Sequence, residues 1–343
     1  MASKVSRERI GAETAAMLSG PSPVLATKLL EDLGLLPVVL DLARLGGDAG
    51  AGVEGQLSPG AAARVARALA SFGALEGELG ALSPNEKRLV AAAAILFPAR
   101  DESAPAGAKG RLQPLATASA REALKWKAKD AEGIDVLLQT SRGAWKVLER
   151  LRRELGLAEA AKDEEGARDR TRMETEGETV EGGGGGPAAP EAAPGGAPSP
   201  VPPPSASLSV PLPESFSPSP ELRIALGTLL CASKTLFRPS LALLALEDSP
   251  PPPPTAEPAP RGEAAPASAA APRLLLALLS RAGLDDCWTW KPLLNGKEIA
   301  QLTGGKGAAI GKAMAAIAER RLADPTWTAE DARAWLQQHG KDD

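Results

Sequence analysis

Apolar positions recur along this chain at helical spacing, in blocks separated by Gly, Pro and Ser. Leu25, Leu29 and Leu33 stand four residues apart; Val65, Leu69 and Phe72, then Leu89, Ala93 and Leu96, continue the pattern. Each block follows a Ser-Pro pair: Ser22-Pro23, Ser58-Pro59 and Ser83-Pro84. The serine offers an N-cap hydroxyl and the proline suits the first helical position. Gly20 and Gly34 sit where a helix C-terminus takes a left-handed residue. Ser119 is expected to start a helix through Trp126. Ser141 is expected to start another, striped by Val147, Leu148, Leu151 and Leu155, with Glu149 and Arg153 on its outer face. Leu222, Leu226, Leu229 and Leu230 mark a later helix, and Leu274 to Ala282 one more, stopped by Gly283. A short helix over 297–302 and an inward stripe of Ile310, Met314 and Ile317 follow. Thr328 and Asp331 form a capping box for a last helix carrying Trp335 and Leu336. Strand-like alternation is nearly missing, so the predicted fold class is all-α.

Composition divides the chain. Residues 162–181 are dominated by charge, and Gly, Pro and Ser dominate from there to 218. Such a stretch buries too little apolar surface to order itself. The expected organisation is a helical body region over 1–156, a disordered acidic and Gly/Pro-rich linker over 157–218, and a helical tail region over 219–343. A Pro/Ala-rich insert at 249–272 interrupts the tail. No internal repeat is visible.

The net charge of −4 is uneven. Residues 1–156 hold 21 Lys and Arg against 18 Asp and Glu, and residues 273–343 hold 10 against 9, whereas 157–272 hold 8 against 16. The regions expected to fold are slightly basic, which is compatible with RNA contact without demanding it. Two cysteines and one histidine build neither a disulfide framework nor a Cys/His metal site, and point to a reducing, intracellular compartment. Cytoplasm, nucleus, mitochondrion and plastid all fit that reading. No membrane span is expected, because no apolar run of about 18 residues stands out.

Three stretches together resemble the C-terminal portion of the class II CCA-adding tRNA nucleotidyltransferases, eukaryotic type, of the tRNA nucleotidyltransferase/poly(A) polymerase family. VSRERIGAETAAMLSGPSPVLATKLLEDLGLL is similar to the motif next to the family's catalytic head. EALKWKAKDAEGIDVLL is similar to a lysine-rich helix of the eukaryotic branch. AGLDDCWTWKPLLNGKEIAQL, followed by IGKAM, resembles the tail signature. The chain departs from it where Gly304-Gly305-Lys306-Gly307 replaces a Pro-Gly-Pro-like turn. The resemblance implies a nucleotidyltransferase head with a Gly-rich turn and an Asp-x-Asp pair, using Mg2+ with CTP and ATP. No Asp-x-Asp occurs here, and no Gly-Gly is followed by x-x-Arg-Asp. The expectation is therefore a neck remnant, body and tail without the head: tRNA-binding, inactive by itself, with no catalytic or metal residue and no cofactor of its own. The expected partner is tRNA, gripped along the acceptor and T-arm backbone, with no role for DNA or a membrane. Alternatives are a protein-interaction scaffold, half of a split enzyme that joins a separate head polypeptide, or a truncated sequence of the whole enzyme.

The site residues follow from both lines of reasoning. By resemblance, Arg7, Glu8 and Arg9 brace a nucleotide pocket; by residues alone they begin a surface helix capped by Ser6. Arg121, Lys125 and Lys129, at i, i+4 and i+8, would share one helix face with Lys127 and Trp126 nearby. Their mutual repulsion is relieved by an anionic partner, or they form a solvated face balanced by Glu122 and Asp130. Asn295, Gly296 and Lys297, and Gly305, Lys306 and Gly307, open two helices whose free N–H groups suit an anion or merely punctuate a helix-turn-helix. Lys312, Arg320 and Arg321 extend this positive side, and Lys291 is counted among the RNA-binding candidates. Trp288, Trp290 and Trp327 read as core. Asp130 and Glu132 lie about 200° apart on a helix and cannot hold one ion.

Overall fold

A computed structural model describes residues 5–45, 57, 60–106, 111–155, 212–213, 215–247 and 269–339; the expected linker up to 211 and most of the 249–272 insert lie outside these, as does the Ser58-Pro59 pair. The regular elements among the described residues are helical apart from one hairpin, β1 (Ser103–Ala106) and β2 (Arg111–Pro114), paired antiparallel with Ala104 opposite Gln113. The all-α expectation holds.

The longer helices are α1 (Arg7–Ser19), α2 (Pro23–Asp32), α3 (Ala61–Gly73), α4 (Pro84–Leu96), α5 (Ala128–Glu154), α6 (Pro220–Ser233), α7 (Ala270–Ala282), α8 (Gly296–Thr303), α9 (Ala308–Ala323) and α10 (Ala329–His339). Three apolar cores order them. The first gathers Leu18, Leu30, Val65, Phe72, Leu89 and Leu96 from α1 to α4, with Ile134 and Leu137 of α5. The second joins Leu148 and Leu151 of α5 to Leu226, Leu275 and Leu278. The third is small: Leu294, Ile299, Ile317, Ala332 and Leu336. Helix α5 has 27 residues, and at 1.5 Å per residue it spans roughly 40 Å. Its first half lies in the first core and its second half in the second.

Several sequence expectations need correction. Ser141 does not start a helix. It sits buried inside α5, where its hydroxyl donates to Leu138 O and to the Glu247 carboxylate. Ser119 does not start one either: a turn at Leu115–Ala118 precedes it, and Ser119 opens a single wide turn ending at Ala123. Gly20 is extended, φ −71° and ψ −173°, whereas Gly34 is left-handed as expected at φ 63°. Ser83 makes a full capping box with Glu86, but Ser22 caps no N–H. Helix α3 takes its cap from α2: the Glu31 carboxylate accepts from Gly60 N and Ala62 N at 2.6 and 3.0 Å.

The docked chain also begins before residue 219. Leu212 and Phe216 pack on the second core, and Arg281 donates to Pro213 O and Phe216 O. The expectation of no membrane-length apolar stretch changes too. Among the described residues, 220–247 is long and apolar enough to cross a membrane, but more than half of its most apolar window is buried, with Leu222, Leu226 and Leu230 in the second core. Leu243 and Leu246, from the end of this stretch, join the first core, so the packing runs across the body and tail regions.

Candidate nucleic-acid interface

The lysine-rich stretch does not form the single helix face that its spacing suggested. The wide turn Ser119–Ala123 ends at Leu124, Lys125 is left-handed at φ 53°, and α5 begins only at Ala128. Arg121, Lys125 and Lys127 therefore lie on a bent connector, and Lys129 in the first turn of α5. All four are nonetheless exposed, while Ala123, Leu124 and Trp126 between them point inward and are buried. The left-handed turn at Lys125 lets Trp126 point inward between the exposed Lys125 and Lys127.

Helix α1 holds this connector in place. The Trp126 indole donates from Nε1 to Gly11 O at 2.9 Å. At Gly11 the backbones approach so closely that a Cβ there would stand 1.7 Å from Leu124 O. From the other side, the Arg88 guanidinium lies 4.7 Å over the Trp126 ring and pairs with Asp130 at 2.8 Å. Asp130 is thus consumed by α4, and none of the four exposed cations forms a salt bridge among the described residues. Glu132 is exposed and shares no site with it.

Arg7, Glu8 and Arg9 occupy the first turn of α1, capped by Ser6 as expected, its Oγ accepting from Arg9 N at 3.3 Å. Arg7 serves the fold: it donates to Val38 O at 2.8 Å and pairs with Asp41 at 2.9 Å. Glu8 and Arg9 face solvent. Six of the seven exposed large apolar side chains among the described residues also lie at this end: Val5, Leu25, Leu29, Leu33, Leu35 and Val38. Leu25, Leu29 and Leu33 share one face of α2 and are 60%, 50% and 67% exposed.

The tail residues surround the third core. The Asn295 side chain accepts from Lys297 N and Glu298 N, and Glu298 returns a bond to Asn295 N, which completes a capping box. The free N–H groups expected at Asn295 and Lys297 are accordingly taken by the protein itself. At the next helix Gly307, φ 57°, has no side-chain cap, and Gly305 N donates to Thr303 Oγ1 at 3.1 Å. Lys291, Lys297, Lys306 and Lys312 are exposed. Trp288 and Trp290 pack on the second core and Trp327 on the third, where it meets Trp335 edge-on at 6.4 Å. Among the described residues no three His, Cys, Asp or Glu side chains gather as metal ligands.

Two other groups escaped the sequence reading. Glu247 is buried between Arg100 and Ser141, and burial raises its carboxyl above the ordinary range while Arg100 and Ser141 pull it back. Cys231 and Cys287, unpaired in the sequence reading, face each other. Only the Gly in SRERIG and the Trp in KWK carried a usable signal for the α1 contact, since a backbone close approach needs one and a buried indole needs an acceptor. No family model, no curated protein and no solved structure matches this chain.

Proposed function

We propose that this chain is the tRNA-binding helical portion of a CCA-adding tRNA nucleotidyltransferase, with Arg121, Lys125, Lys127 and Lys129 gripping phosphates. The family part of the proposal rests on the three resembling stretches. The observation that carries it is the packing of the first stretch on the second: Gly11 receives Leu124 and Trp126, and the outcome is a bent connector leading into α5 along which four cations stay exposed. Cations held on a fixed backbone contact phosphates without reading bases, which suits an RNA recognised by shape. The tail cations Lys291, Lys297, Lys306 and Lys312 supply a second set. Catalysis belongs to a head bearing the metal-binding carboxylates, so the chain alone transfers no CMP or AMP.

The test is tRNA binding by fluorescence anisotropy at roughly 50 and 200 mM salt. Four phosphate contacts predict an affinity loss on the order of 100-fold over that range. An affinity indifferent to salt refutes phosphate gripping. CCA addition by the purified chain refutes the assignment of catalysis to a head.

The leucine face of α2 favours a second reading, in which residues 1–40 dock a separate head polypeptide. Leu25, Leu29 and Leu33 would then be the buried seam. A chain that stays monomeric and binds no hydrophobic dye counts against it.

A further inference from the structure

Cys231 and Cys287 are 56 residues apart in sequence, yet their Sγ atoms lie 3.9 Å apart. Cys231 sits near the end of α6, one turn beyond Gly227. Cys287 opens the short turn Cys287–Thr289, and its thiol also points at Gly227 O, 3.8 Å away. A Cβ at Gly227 would come within 2.4 Å of Leu322 Cδ2, so α6 and α9 press together beside the pair. Both cysteines line a cavity of about 210 Å³ walled by Trp290, Met314, Ile317 and Arg321. Cys231 is half-buried and Cys287 buried, so one thiol is reachable and the other stands behind it.

We propose that Cys231 and Cys287 are a redox-reactive dithiol that a hydroperoxide converts into a disulfide, fastening α6 to the Cys287–Thr289 turn. The hydroperoxide meets Cys231 first: its sulfur attacks the O–O bond, giving a Cys231 sulfenic acid and releasing an alcohol. The Cys287 sulfur then displaces hydroxide from that sulfenic acid. The Cys287 proton leaves with it as water, and the S–S bond forms. Two thiols lose two electrons and the hydroperoxide gains them. Burial, with the Cys231 thiol beside it, pushes the Cys287 thiol up to about 12, so Cys287 is the protected partner and not the point of attack. A disulfide is about 2 Å long, so the sulfurs need to close by about 2 Å, a movement that side-chain rotation at half-buried Cys231 supplies. The bond would close a loop containing the whole 249–272 insert, and constraint of the unfolded chain would raise stability.

The test treats the reduced full chain with hydrogen peroxide, quenches with iodoacetamide, and looks for the tryptic peptides 224–234 and 282–297 joined by a bond that dithiothreitol cleaves. The linked pair should form in monomeric protein, raise the Tm, and disappear in Cys231→Ser. The same rate is measured in 6 M guanidinium, where folding no longer holds the thiols together. Linkage there should be slower by more than about tenfold. Recovery of both peptides unlinked from oxidised folded protein, a link only between chains, or equal rates with and without guanidinium would each overturn the proposal.

Discussion

Replacing Gly11 by Ala should damage both the fold and the connector it supports. In the interior of an exposed helix this change stabilises by about 1 kcal/mol. At Gly11, however, the new Cβ would sit 1.7 Å from Leu124 O, against an ordinary contact of 3.4–4 Å. The backbone of α1 must therefore retreat by about 1.7 Å from the connector. Overpacking of this kind costs about 1–3 kcal/mol. The retreat also strains the 2.9 Å bond from Trp126 Nε1 to Gly11 O, and a buried donor left without a partner costs about 1–3 kcal/mol more. Against the propensity gain, the net loss is about 1–5 kcal/mol. Gly73→Ala is the matched control, because nothing lies within 4 Å of a Cβ there; it should be neutral or mildly stabilising. Urea unfolding followed by circular dichroism compares the two. If Gly11→Ala unfolds at the same urea concentration as the unaltered chain, or a higher one, the close approach does not exist as described. If it folds normally but binds tRNA as before, Gly11 does not position the cations.

Other consequences can be measured separately. Trp126→Phe keeps a six-membered ring but loses the pyrrole half with its N–H donor, so urea unfolding should show at least about 1–2 kcal/mol less stability. Lys125→Ala and Lys127→Ala together should reduce the slope of log affinity against log salt for tRNA by about 2, with unfolding unchanged. Leu25→Ser with Leu29→Ser should leave stability within about 0.5 kcal/mol, since both side chains are already exposed, and should abolish any dye binding or self-association that the leucine face causes. Glu247 gives a pH test. Its folded carboxyl lies above the ordinary 4.5, so the folded chain keeps a proton that the unfolded chain has lost. Stability contributed by Glu247 is therefore fully present below about 4.5 and declines as pH rises through the raised folded value. Glu247→Gln should flatten that decline in denaturation curves taken across pH 4–8, and Arg100→Met, which removes the attraction holding the carboxyl down, should extend it upward.

The helices were legible because one side of each must be buried, and burial writes a period into the sequence. Val65 and Phe72, Leu222 and Leu226, and Ile317 all fall inward as their spacing requires. What periodicity cannot encode is a bend. The run from Arg121 to Lys129 satisfies helical spacing perfectly well, and nothing local forbids a helix there. The bend comes from the tertiary demand to bring Leu124 against Gly11 and to bury the Trp126 indole on a main-chain acceptor more than a hundred residues earlier. Lys125 accepts a left-handed backbone to meet it. The same limit hid Glu31, which caps a helix whose start lies 29 residues away, and it hid the two thiols, since neither cysteine belongs to a spacing motif. The exposed cations could be named in advance because a lysine that bridges nothing stays in solvent under either geometry. Their mutual arrangement could not, because a connector anchored from behind by α1 and α4 is a property of three segments and not of one. A sequence of this kind therefore yields its exposed cations before it yields the surface they form. The contact between Gly11 and the connector is where the two readings meet: a glycine that a helix would rather replace with alanine is tolerated there because it lets the cationic stretch pack directly against α1.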